Sequence, residues 1–165
     1  MVHNVMQRLS VCGILAVSLA LAGCAASGPP APTPTRDAPS QQALRQAGEW
    51  LAKGQQAYQE GRTRDAIEAL QEAVRLNPAD AVSANNLALL LKQEDRFTDA
   101  AGILREALEV RPDVAELHYN LAVIAELYLL DLPLALRHYQ QYLTLTRSPE
   151  SRVAGWVADL ERRLQ

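Results

Sequence analysis

From Gln41 onward apolar residues recur at helical spacing between charged and amide residues, and no stretch sustains the strict alternation of a half-buried strand. The pattern predicts helices over 41–60, 63–76, 80–94, 97–110, 114–130, 133–146 and 149–164, and therefore an all-α class. The last of these opens with Ser148-Pro149-Glu150, which supplies a cap, a first-turn proline and an acid at the positive end of the helix dipole. Its apolar face is Val153, Trp156, Val157, Leu160 and Leu164, with Asp159, Glu161, Arg162 and Arg163 over the remainder. Two roles fit such a helix: a cap that shields the final pair from water, or a docking helix that presents Trp156 to a partner.

The pattern also repeats. Ala66, Leu70, Ala73, Leu76 and Pro78 are followed 34 residues later by Ala100, Leu104, Ala107, Val110 and Pro112, and a period of this size signals a solenoid of stacked helical units. Trp50, Gly54, Tyr58, Gly61, Ala66, Ala73 and Pro78 in the first copy, and Leu87, Ala88, Phe97, Ala100, Ala107 and Pro112 in the second, resemble the tetratricopeptide repeat (TPR) pattern of aromatic, small, turn and helix-ending residues. The third copy keeps Leu121 and Ala122 but has one extra turn residue around Leu130 to Pro133, and it carries Tyr139 and a bulky Tyr142 where a small residue is usual. The resemblance implies a solenoid of three helix pairs, with repeats at about 47–80, 81–114 and 115–148, and a capping helix over 149–164, the whole domain running 41–165.

In that family the first helix of each pair lines an inner groove. Carried onto this chain, its ligand-holding positions include Leu51, Gln55, Tyr58 and Gln59, then Asn85, Asn86, Leu89, Lys92 and Gln93, then Glu116, Tyr119, Asn120, Val123 and Leu127. Asn86 and Asn120 share one register position. Some relatives use asparagines there as a ladder that hydrogen-bonds an extended peptide, since an amide both donates and accepts; the alternative is that they bridge neighbouring helices. The clamp that other relatives use for a C-terminal carboxylate wants cations where this chain has Leu51, Glu116 and Asn120, so the resemblance implies recognition by aromatic and amide contacts.

The first forty residues follow different rules. Arg8 precedes an apolar run from Val11 to Leu21, too short to span a bilayer comfortably, and this reads as a signal peptide over 1–23. Leu21-Ala22-Gly23-Cys24 resembles the bacterial lipobox, which implies that Cys24 becomes the lipidated first residue of the mature chain. Two or three acyl chains, at about 0.8 kcal/mol per buried methylene, anchor a protein almost permanently. Residues 24–40 then form a tether. Pro29, Pro30, Pro32, Pro34 and Pro39 stand among small residues that cannot build a core, giving an extended linker that reaches on the order of 50 Å at most. Ala25 stands where an aspartate would resemble an inner-membrane retention signal, so the expected location is the outer membrane, facing the periplasm.

Composition narrows the chemistry. A net charge of -3 leaves no basic footprint for nucleic acid, and the two cysteines, Cys12 and Cys24, both precede the domain. No nucleophile with its base, phosphate loop or metal-ligand spacing appears, which points away from an enzyme and toward no cofactor, metal or small-molecule substrate. His118 and His138 are expected to stand alone, as surface or packing residues. Glu68, Glu72, Glu106 and Glu109 lie near Arg75 and Arg105 at spacings that suit surface ion pairs. The expectation for function is a membrane-anchored periplasmic adaptor that binds a protein segment in its groove and assists an envelope complex, as a pilotin or accessory subunit does. Its rival is a permanent structural subunit that binds through the convex face and last helix.

Overall fold

The computed structural model of the chain describes residues 38–147 and 152–165. Among these residues the regular elements are α1 (Gln41–Gln59), α2 (Thr63–Leu76), α3 (Ala81–Gln93), α4 (Phe97–Val110), α5 (Ala115–Leu127), α6 (Leu132–Thr146) and α7 (Arg152–Arg163). Helices α1/α2, α3/α4 and α5/α6 form three hairpins. Each helix packs on its neighbour in sequence, and α3 also meets α5. The cap proposed at Ser148-Pro149-Glu150 lies outside the described residues.

Local chemistry sets the helix ends. Ser40 Oγ accepts from the Ala43 amide at 3.1 Å, Asp80 Oδ1 from Val82 at 3.1 Å, and Asp131 Oδ1 from Leu134 at 3.0 Å, each satisfying an amide that the first turn leaves free. Helices α2 and α4 start without a side-chain cap. Arg62 there pairs with Asp65 and Arg96 with Asp99, the same ion pair one repeat apart.

The hairpin turns repeat as well. The Gly61 and Arg62 amides donate to Tyr58 and Ala57 carbonyls, and the Asp95 and Arg96 amides donate to Lys92 and Leu91, so α1 and α3 end in the same Schellman motif. Its left-handed position is Gly61 (φ 74°) in the first turn and Asp95 (φ 57°) in the second. In the third it is Leu130 (φ 55°), and the closing bond, from the Asp131 amide to the Ala125 carbonyl, spans one residue more. That insertion ends α5 at Leu127, three residues before the boundary predicted from apolar spacing. It also starts α6 at Leu132, with Pro133 in the first turn, where its missing amide leaves no bond unmade.

Small residues let the helices close on one another. Ala66, Ala73, Ala88, Ala100 and Ala135 have no exposed surface, and Leu70, Leu87, Leu91, Leu104, Leu117 and Leu121 fill the space between them. Gly54 is the tightest point: a Cβ there would sit 2.8 Å from Leu70 Cγ and 3.3 Å from the Ala66 carbonyl oxygen. The third hairpin is built differently. Tyr139, at the position of Leu70 and Leu104, is buried, and Tyr142 replaces Ala73 and Ala107. Trp156 of α7 packs 5.5 Å from the Tyr139 ring and 6.3 Å from Tyr119. The Tyr139 hydroxyl donates to Glu126 at 3.0 Å, Arg163 approaches the same carboxylate at 3.8 Å, and Gln140 donates to Glu161 at 3.0 Å. With Val153 and Leu160 buried, α7 caps the stack.

Gly54→Ala is expected to destabilise the fold, because overpacking of about 1–3 kcal/mol outweighs a helix-propensity gain of about 1 kcal/mol. Gly48→Ala, whose added methyl meets nothing within 4 Å, is expected to raise stability by up to about 1 kcal/mol. Urea unfolding of the two variants checks the pair, and equal shifts of the same sign would contradict the crossing geometry.

Candidate functional site: the inner groove

Helices α1 and α3 stand side by side on the inner face and leave a pocket of about 510 Å³ between them. Its floor is apolar, formed by Leu70, Leu90 and half-buried Leu89, and is open because Gly54 has no side chain. Its rim is Gln55, Tyr58 and Gln59 from α1 with Asn86 and Gln93 from α3. Gln93 Nε2 faces the Tyr58 hydroxyl at 3.4 Å across the rim. No charged residue lines the pocket.

Six of the residues singled out from the sequence therefore meet here: Gln55, Tyr58, Gln59, Asn86, Leu89 and Gln93. Leu51 instead packs against the core, and Lys92 is half-buried beside the pocket without lining it. Gly54 and Leu70, which the sequence marks only as repeat-pattern residues, and Leu90, which it does not single out, complete the lining. They pack as well as line, since the floor of a groove between packed helices is the top of the core.

The third hairpin is less open. Tyr119 sits among Tyr142 at 5.3 Å, Tyr139 and Trp156 at 6.3 Å each, so it seats α7 as well as facing the groove. Asn120 Nδ2 donates to Asn85 Oδ1 at 2.6 Å, tying α5 to α3. Of the two roles open to the asparagine pair, Asn120 takes the helix bridge, while Asn86 faces the pocket one repeat earlier. Val123 is half-buried on the same face. Cys24, the predicted lipidation position, lies outside the described residues.

A family profile described as tetratricopeptide repeat matches residues 57–124. Among solved structures, the N-terminal domain of stress-induced protein-1 from C. elegans superposes with a TM-score of 0.65 at 22% identity, covering 74% of this chain and 99% of that one. The first TPR of Spaghetti (RPAP3), bound to HSP90 peptide SRMEEVD, gives 0.63 at 17%, covering 73% and 94%. The Arabidopsis OM64 TPR domain gives 0.61 at 20%, covering 73% and 98%. The fold is the tetratricopeptide-repeat solenoid. No curated protein matches the chain significantly by sequence.

One polar cluster of this TPR solenoid departs from expectation. His118 and His138, expected to stand alone, meet with Nδ1 atoms 2.8 Å apart. His118 Nε2 donates to the Pro112 carbonyl at 3.1 Å, since that oxygen can only accept. When the His118 ring carries a single proton, that proton is on Nε2, so its Nδ1 accepts and His138 Nδ1–H donates. Twenty residues and a hairpin turn separate the two, so no local motif marks the pair. Burial holds the His138 imidazole down to a pKa of about 4, aided by His118 and by the charges of Arg137 and Arg105. Of the predicted surface pairs, Glu72 meets Arg75 at 2.8 Å, whereas Arg105 donates to the Ala101 carbonyl and Glu68 meets Arg64 instead.

The folded pKa of His138 lies below the unfolded value of about 6.5, so between those limits the unfolded chain binds the extra proton. The stability that His138 contributes is complete above about pH 6.5 and falls as pH drops toward about 4. His138→Gln is expected to flatten the melting-temperature profile in that window. A mutant profile parallel to the wild type would show that the pair does not govern it.

Proposed function

We propose that the chain is a lipid-anchored adaptor of the bacterial cell envelope, held on the outer membrane through Cys24 and facing the periplasm, that grips an extended segment of a partner protein in the α1–α3 groove. It acts without catalysis of its own and assists assembly or stability of an envelope complex, in the manner of a pilotin or accessory subunit. The observation that carries the reading is the pocket itself: an apolar floor that can desolvate a side chain, under a rim of amides and one phenol that can meet a peptide backbone. The Leu21-Ala22-Gly23-Cys24 run and the proline-rich segment after it supply the anchor and the reach. The rival, in which the last helix is the docking surface, has less to work with, because Trp156 is half-buried against Tyr119 and Tyr139.

Cys24→Ser is expected to yield a soluble or uncleaved protein. Recovery of a mature-sized protein in the outer-membrane fraction would refute the anchor. Tyr58→Ala with Asn86→Ala is expected to leave the melting temperature nearly unchanged and to cut partner capture in envelope crosslinking. Each lost contact is worth roughly 1–2 kcal/mol, or five- to thirtyfold in affinity. Trp156→Ala is expected to lower the melting temperature through the cap. Full capture by the groove variant, with loss in Trp156→Ala at a temperature where that variant is folded, would favour the rival.

A further inference from the structure

The groove changes character along its length. The register position held by Gln59 in the first repeat and Gln93 in the second is held by Leu127 in the third, where it is 61% exposed. The neighbouring position runs from Gln55 through Leu89 to Val123. A segment crossing α1, α3 and α5 in turn therefore meets an amide-rimmed pocket first and an apolar shelf second. An exposed leucine where two glutamines precede it adds nothing to the core.

Charge restricts the occupant further. The pocket offers no cation to a carboxylate and no anion to an ammonium, and an ion brought onto its leucine floor would lose hydration without a partner. Lys92 and Glu116 carry opposite signs on the same inner face.

Resting on the groove as the working surface, we infer that the partner segment is an internal, uncharged, extended stretch. It carries two bulky apolar side chains three or four residues apart, the first entering the α1–α3 pocket and the second lying on Leu127. The spacing follows from geometry. Packed helix axes stand about 8–10 Å apart, so the shelf on α5 is on the order of 10–13 Å from the pocket. An extended chain advances about 3.3 Å per residue, which places the two anchors three or four residues apart.

The test is selection from a phage-displayed library of random peptides against the immobilised full chain. The consensus peptide is then titrated by fluorescence anisotropy against the wild type, Asn86→Asp, Gln93→Glu and Leu127→Asp. Enriched peptides are expected to share the spaced apolar pair without acidic or basic enrichment. Their affinity is expected to change by less than about twofold between low and high salt. Each near-isosteric rim charge, and the charge on the shelf, is expected to weaken binding about tenfold, with helical content and melting unchanged. If the three variants weaken binding but the selected peptides are charged, need a free C-terminus or carry one apolar residue only, this inference is overturned and the groove reading stands. If none of the three weakens it, or if no peptide is enriched over a blank surface, both fall.

Discussion

Where α2 crosses α1, Leu70 lies against the bare Cα of Gly54, and Ala66 at that crossing, like Ala100 and Ala135 at the equivalent ones, has no exposed surface. Every other feature depends on that closeness. Two helices held apart by larger side chains would not bring the inner faces of α1 and α3 near enough to share a pocket, nor let Leu70 of the second helix form part of its floor. The constraint is local and repeated, as expected of a solenoid whose stability is a sum of neighbouring contacts. It also explains how a chain with eight aromatic residues packs densely: the core is alanine and leucine in register.

Helix existence was legible from the sequence because apolar residues recur at helical spacing, and the 34-residue spacing of Ala66 and Ala100, or Pro78 and Pro112, carries the period of the stack. Boundaries were legible where a turn residue declares itself. Gly61 occupies a left-handed position that only glycine adopts without strain, and α1 and α2 fall within one residue of expectation. Leu130 adopts the same backbone without any such signal, and there the predicted end of α5 ran past the true one. Six groove residues followed from register alone, since equivalent positions in stacked hairpins share a face. What register could not show is which neighbour claims a side chain. Asn120 looks interchangeable with Asn86 until the α3–α5 contact brings Asn85 within 2.6 Å of it. The His118–His138 contact likewise belongs to the packing of α5 on α6, and neither residue has a partner within its own helix.

The third hairpin shows how departures from a repeat can be coordinated. Tyrosines at 139 and 142 replace a leucine and an alanine of the earlier copies, and by themselves they would leave ring edges facing water. Trp156 packs on Tyr139 and on Tyr119, Tyr119 packs on Tyr142, and Glu126 satisfies the Tyr139 hydroxyl. Burial first, and that carboxylate second, push the Tyr139 phenol's pKa up, so it remains a donor. The aromatic side chains and the capping helix are one device.

That device makes the two ends of the array unequal as building material. A fourth hairpin spliced after α6 would inherit a socket shaped for tryptophan, and it would have to bring an indole of its own or leave Tyr119 uncovered. A hairpin duplicated between α2 and α3 would meet surfaces that already recur every 34 residues. Lengthening the solenoid, whether by recombination or by design, is therefore open near its N-terminal end and closed at the other, where the chain has exchanged modularity for a finished edge.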